Sequence, residues 1–354
     1  MRTKLSNTLR GSDKHCEEYV TPDGSTLLLL QHGGRALGLF APGSDQNFYW
    51  THPSLDSAES ARAFYSSAGW HNSGGDRTWV SPEVDVFFPA FPRTDLYSVP
   101  PQLDPGNYEI IRMEGGLRLV NRFDLTLSRS RQKLELEVTK SWTPALNPLR
   151  YETSLKEELA SVEFAGYTQQ TSLRLLGPTV PTSAEVGLWN LLQLPHGGEM
   201  LVSTYSRSEP KVYFGSVASE DLTVHDHSVR FRMHGSGIKK IGVRAAAATG
   251  RMGYAHQTGS QWSLVVRNFP VGPSGEYIDV PWNESGLTGA RGYVAQACSV
   301  NSELGRFSEL EYHAPAIGSS SGRHQYDDIS EVWAFRGSSE GIHLLMRKLL
   351  MSED

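Results

Sequence analysis

The densest run of residues able to do chemistry is WHNSGGDRTWVSPE, positions 70–83, followed by VDVFFP. It gathers His71, Asn72, Asp76, Arg77, Trp79 and Glu83, with Asp85 just beyond, around two adjacent glycines. Arg, Asp, Asn and His offer paired hydrogen-bond donors and acceptors, and tryptophan offers a flat apolar face. Sugars present hydroxyl pairs and a weakly apolar ring face, so this mixture suits a sugar site. The glycines allow a tight turn and close approach of the backbone to a ligand. A polar turn held by an Arg–Asp pair would use the same residues, and composition alone leaves both readings open.

Further along, FSELEYHAP (307–315) places Glu309 and Glu311 two apart, hence on one face of a strand. Like charges that close raise one pKa, which suits a general acid or base. His196 sits in LPHGG, on a loop that could overhang a cleft. His225, His227 and His234 cluster in VHDHSVRFRMHGSG. A His-x-His pair on one strand face could grip a metal, but no third ligand follows by spacing, so no metal and no cofactor is assigned. Lys239, Lys240 and Arg251 flank a small-residue stretch that would suit a carboxylated sugar such as a uronic acid, or form a basic surface patch. Tyr277, Trp282 and Glu284 in EYIDVPWNESG read as a rim platform for a glycan or as loop anchors.

The run GGDRTWVSPE resembles the Gly-Gly-x-Arg-x-Trp-x-x-Pro-Glu signature of mutarotase-like families in the aldose 1-epimerase superfamily. GGRALGLFAPGSDQNFYW, LWNLLQLPHGGEMLVST and ELEYHAPA are similar to the opening, middle and late segments of those families, so the resemblance spans roughly residues 20–320. It implies an all-β fold, a galactose-mutarotase-like β-supersandwich of two large antiparallel sheets with few short helices. It implies a mono- or oligosaccharide in an open cleft, handled by an acid–base isomerase or a glycoside lyase or hydrolase. In such enzymes an early Arg binds the sugar, a middle His protonates the ring oxygen and a late Glu takes the anomeric proton. Arg77 matches the early Arg; Glu309 or Glu311 stands for the late Glu. The His-x-x-Phe-Asn-Leu motif of authentic mutarotases is absent, so the acid falls to His71 or His196, with Asn72, Asp76, Arg77, Trp79, Glu83, Arg251 and Trp282 as substrate-binding candidates. The missing His equally supports a sugar-binding protein without catalysis.

These residues need a scaffold. Short alternating or apolar runs recur along the chain, among them Leu27–Gln31, Tyr108–Met113, Leu134–Thr139, Lys211–Phe214, Trp262–Asn268 and Arg306–His313. Their β-branched and aromatic content predicts strands, and LELEVTK alternates as a half-solvated antiparallel strand should. Helices are predicted only at Ser57–Ser67, capped by Ser57 or Asp56, and at Glu340–Met351. No βαβ alternation, phosphate-binding loop or fixed repeat appears. The 354 residues read as one domain, 1–354, with 1–20 and 318–354 as peripheral extensions. A net charge of −6 argues against nucleic acid and anionic membranes as partners. Two cysteines make no disulfide framework, and the polar N-terminus lacks an apolar signal core, so a cytoplasmic location is expected, or a periplasmic or secreted one if a signal has been removed.

Overall fold

The computed structural model describes residues 2–177, 184–282 and 291–350. Two 10-stranded sheets pack face to face, and all the strand pairings among the described residues are antiparallel. The first sheet runs Cys16–Val20, Thr26–Leu30, Arg35–Phe40, Asp76–Ser81, Glu185–Pro195, Gly305–His313, Tyr293–Ser302, Gly237–Arg244 and Lys211–Phe214, with Ile317–Gly318 paired to Glu185–Pro195. The second runs Leu222–Val224, Ser228–Arg232, Glu199–Thr204, Ala248–Thr258, Gln261–Asn268, Gln325–Gly337, Glu163–Leu175, Lys133–Pro144, Gly116–Thr126 and Glu109–Met113. The expected all-β, two-sheet architecture is therefore what the chain adopts.

Period-two alternation decides what each face carries. In Gly305–His313, Leu310 and Tyr312 turn into the inter-sheet core, where they join Leu192, Ile241 and Ala297 of the same sheet and Trp142, Met252 and Val332 of the other. Each such fully buried aliphatic side chain stabilises the sandwich by about 1.5–3 kcal/mol. Alternate positions of the same strand, Phe307, Glu309, Glu311 and His313, point to the outer face of the first sheet. The core also holds a polar knot. Asp76 lies 3.0 Å from Arg267 and accepts from the Tyr167 hydroxyl, which in turn accepts from Tyr49. Asp76 is thereby placed on the inner face, on the opposite side of the sheet from Arg77.

Helices are few and cover outer faces. Ala58–Ser66 begins at Ser57, whose side chain accepts from Ser60 N, as the cap chemistry predicts. With Arg2–Gly11, which the polar N-terminal sequence did not reveal, and the 3-10 turn Pro53–Asp56, it covers the edge strands of the first sheet through Leu9, Leu55 and Ala61. Ser339–Leu350 lays Ile342, Leu345 and Leu349 on the outer face of the second sheet. Among the described residues, no helix is long and apolar enough to cross a membrane.

Two expectations are corrected here. The segment 318–354 is not peripheral throughout, because Gln325–Gly337 lies inside the second sheet between Gln261–Asn268 and Glu163–Leu175. His225 and His227 do not share a strand face, because they occupy the hairpin turn between Leu222–Val224 and Ser228–Arg232.

Candidate functional site

Five adjacent strands of the first sheet assemble one polar cluster on its outer face. The ladder places Gln193 and Cys298 on either side of Glu309, and Leu191 and Gln296 on either side of Glu311. Arg77 stands opposite Leu191, and Lys240 stands opposite Cys298. Long side chains reach diagonal neighbours across such a ladder. Arg77 Nη2 donates to Glu309 Oε1 at 2.8 Å, and Gln193 Nε2 donates to the same oxygen at 2.9 Å. Lys240 Nζ lies 2.9 Å and Trp189 Nε1 2.8 Å from Glu311 Oε2.

A cover closes over this floor. The short helix Glu83–Val86 brings Glu83 Oε2 to 3.8 Å from Lys240 Nζ, and Trp282 Nε1 donates to that oxygen at 3.0 Å. Asp279 Oδ1 accepts from Glu83 N, while its Oδ2 accepts from Gln296 Nε2 at 2.8 Å and lies 3.8 Å from His313 Nε2. Phe87 packs on Trp79 and stacks with Tyr97, which is 43% exposed. The open cleft expected from sequence is thus an enclosed cluster: Arg77, Lys240, Glu83, Glu309 and Glu311 are all buried.

The local sequence explains the placement of Arg77. Gly74 and Gly75 adopt positive φ, and a Cβ on Gly74 would stand 2.2 Å from Trp50 O, one on Gly75 2.4 Å from Ala36 O. The glycines serve close approach to neighbouring backbone, not to a ligand, and launch the strand Asp76–Ser81. Arg77 then lies over Trp79 at 4.2 Å and near Trp70 at 5.5 Å, with Trp79 Nε1 tied to Asp104. Its Nε and Nη1 are buried and find no hydrogen-bond partner among the described residues; the same holds for Gln193 Oε1, Gln296 Oε1 and both ring nitrogens of His313. Buried donors and acceptors left open on the side chains of this cluster are what a polyhydroxylated ligand or ordered water would satisfy.

Electrostatics favours shared protons. Four carboxylates, Glu83, Asp279, Glu309 and Glu311, face two cations, Arg77 and Lys240. Burial pushes Glu311 up to about 7 against the pull of Lys240, with Glu309 adding to the rise. Burial also raises Glu83, again opposed by Lys240. Burial works against the Lys240 ammonium, but Glu311 and Glu83 outweigh it and hold its pKa above the ordinary lysine value. His313 is lowered to about 4 by burial and is uncharged at neutral pH. Burial and the two glutamates push the Cys298 thiol well up. Cys298, Glu309 and Glu311 are near enough to share a metal, their ligand atoms lying within 4.8 Å of one another. Arg77 and Lys240 already neutralise both carboxylates, so the donor set fits an ion-pair cluster better than a cation cage.

The cluster unites Arg77, Trp79, Glu83, Trp282, Glu309 and Glu311 of the sequence candidates. Others stand apart. His71 packs against His32, Phe64 and Tyr65 and bonds to Ser67 O, because it precedes the glycine turn instead of following it into the sheet. Asn72 accepts from Arg35. His196 lies past the end of its strand, beside Ser299. Arg251 belongs to the second sheet, bonded to Asn268 and to Leu349 O. Tyr277 is buried in the core and is no rim platform; Glu284 lies outside the described residues. Sequence reasoning missed His313, Lys240 as a buried member, Gln193, Gln296 and Asp279. The rule that paired Glu309 with Glu311 extends one step further to His313.

No curated protein matches this sequence. Among solved structures, a galactose mutarotase related enzyme from Lactobacillus acidophilus is similar at 7% identity and a TM-score of 0.45, covering 90% of this chain and 97% of that one. An alpha-galactosidase from Lactobacillus brevis matches at 10% identity and 0.30, covering 93% and 40%. A 4-alpha-glucanotransferase from Thermococcus litoralis matches at 10% and 0.31, covering 94% and 41%. Residues 54–353 match a family of unknown function, DUF6786, and the chain belongs to that family.

Proposed function

We propose that the chain is an acid–base enzyme acting on a sugar, with ring-opening epimerisation at the anomeric carbon as the leading reaction. One observation carries this reading: Glu83, Glu309, Glu311, Arg77 and Lys240 form one buried cluster, and side chains of that cluster keep unpartnered donors and acceptors. A carboxyl poised at about 7 can take or give a proton at neutral pH, the condition for efficient general acid–base catalysis. Glu311 rises from the sheet and Glu83 hangs from the cover, and both reach the Lys240 ammonium. In this reading Glu311 takes the anomeric hydroxyl proton while protonated Glu83 supplies one to the ring oxygen. Lys240 stabilises whichever carboxylate is charged. Arg77, fixed by Glu309, donates its open N–H groups to ring hydroxyls, with Trp79 and Trp282 as apolar walls. Because the cluster is buried, a sugar reaches it when the helix Glu83–Val86 and the separate segment that carries Trp282 move aside, a gating step common in enzymes that exclude water.

A second reading, a sugar-binding protein without turnover, draws support from the full ion pairing of Glu309 and Glu311 and from the uncharged state of His313. NMR exchange spectroscopy on a panel of aldoses separates the two. Enhanced α/β interconversion that disappears in Glu311→Gln while binding persists supports the enzyme. Binding without enhanced interconversion by the unmodified chain overturns it in favour of the binder.

A further inference from the structure

We propose that the hairpin tip 127–132, which joins Gly116–Thr126 to Lys133–Pro144 in the second sheet, is a latch that sets how often the cover over Glu311 opens. Its meaning for a ligand rests on the reading of the site given above. The cover helix Glu83–Val86 is four residues long. A helix that short has almost no stability of its own, so outside contacts decide where it sits. On the inner side Glu83 meets groups of the site: its N donates to Asp279 Oδ1 at 2.9 Å, Trp282 Nε1 donates to its Oε2 at 3.0 Å, and Lys240 Nζ lies 3.8 Å from that oxygen.

The rest of the helix is held from the second sheet. Ser128 N donates to Asp85 O at 2.9 Å, and Ser128 Oγ donates to Val84 O at 3.1 Å. Arg129 N and Nε donate to Asp85 Oδ1 at 3.0 and 2.8 Å, and Arg129 Nη2 donates to Oδ2 at 2.7 Å. Paired bonds from a guanidinium to a carboxylate are charge-assisted and fix direction as well as distance. The tip is itself pinned. Leu127 N donates to Gln132 O at 3.0 Å, Arg131 N donates to Leu127 O at 3.0 Å, and Leu127 is buried in the apolar cluster that holds Val86 and Phe87. Burial makes the contact decisive, because the Asp85 side chain is 8% exposed and that of Arg129 36%. Among the described residues, the hydrogen bonds to the Asp85 carboxylate all come from Arg129. With the cover shut, Asp85 depends on that guanidinium; with the cover open, its carboxylate meets water. A buried charge stripped of its partner is costly and a solvated one is not. Loss of the guanidinium therefore penalises the shut state and moves the balance toward the open one. Asp85 and Arg129 act through the cover, as positioning residues.

Cys298 supplies a probe that needs no sugar. It stands opposite Glu309 and Lys240 in the ladder, is 5% exposed, and has its Sγ within 4.8 Å of carboxylate oxygens of Glu309 and Glu311. Cys16, 4% exposed, lies on the edge strand Cys16–Val20 beside the N-terminal helix, with its Sγ 3.8 Å from Ser6 O, and reports on openings elsewhere. The test is alkylation of the native full chain by iodoacetamide at about pH 8, with each cysteine followed by peptide mass. Arg129→Leu should speed labelling of Cys298 by about tenfold or more and leave Cys16 unchanged. Adding Asp85→Asn, which deletes the stranded charge, should return most of that acceleration, while thermal melts check that each variant folds. Unchanged labelling of Cys298 in Arg129→Leu, equal acceleration at Cys16, or an acceleration that Asp85→Asn does not reduce would overturn the latch. Anomeric exchange is read separately: exchange without the labelling change removes the latch alone, and the labelling change without exchange supports the latch while the sugar reading falls.

Discussion

Replacing Lys240 by Met keeps a long, flexible, apolar side chain and deletes the ammonium that Glu311 and Glu83 share at 2.9 and 3.8 Å. Removing one partner of a buried ion pair costs about 3–5 kcal/mol, because the remaining charge is left without compensation. The loss carries a pH signature. A carboxyl whose folded pKa is raised binds more protons in the native state, so its contribution falls as pH rises from the unfolded value toward the folded one. In the unmodified chain that window closes near the Glu311 value of about 7. Without Lys240 the folded pKa moves higher and the window extends upward, with a slope of up to about 1.4 kcal/mol per pH unit for one proton. Urea unfolding should therefore show the smallest difference between the chains near pH 5 and a widening gap above pH 7. Adding Glu311→Gln to Lys240→Met should recover much of the loss, a coupling that additive effects would not give. A pH-independent loss below about 1 kcal/mol would refute the buried-charge argument.

Other outcomes follow from single contacts. Asp328, hydrogen-bonded by Tyr312, is raised to about 6 by burial, so it weakens the fold as pH rises from about 4 through 6. Asp328→Asn should gain stability relative to the unmodified chain across that window by about 3 kcal/mol, read by urea unfolding at its two ends. Gly74→Ala forces a Cβ to 2.2 Å from Trp50 O at φ +100° and should cost more than about 1 kcal/mol in the same assay, with Gly43→Ala, which strains φ but meets no atom, as the milder control. Cys298, buried with its thiol pushed up, should resist thiol reagents in the native chain at about pH 8 and react on unfolding.

The fold was legible where periodicity was plain. Lys211–Phe214 was placed to the residue, and Arg306–His313, Trp262–Asn268 and the Ser57-capped helix to within one or two. These segments carry their signal locally, as alternation or a cap. From sequence the segment Asp76–Ser81 reads equally as a polar turn or a sugar site, because its flanking glycines and charged residues mimic loop chemistry; only the ladder with Glu185–Pro195 makes it a strand. The site was half legible. Glu309 and Glu311 share a face by period two, and Arg77 and Trp79 follow the same rule. Lys240 looked like a surface lysine because nothing local reveals that its neighbours are Glu311, two strands away, and Glu83 on the covering helix. His71 misled for the reverse reason: it is close to Arg77 in sequence, but the glycine turn between them sends it to another face.

The central claim is that Glu311 moves a proton on a sugar held by Arg77. It is met most directly by measuring anomeric exchange of an aldose by NMR with the unmodified chain, Glu311→Gln and Arg77→Ala side by side. The account predicts accelerated exchange in the unmodified chain, exchange at the solution rate with sugar binding retained in Glu311→Gln, and binding lost in Arg77→Ala. Accelerated exchange that persists undiminished in Glu311→Gln, or an unmodified chain that neither binds nor turns over any aldose, would contradict it.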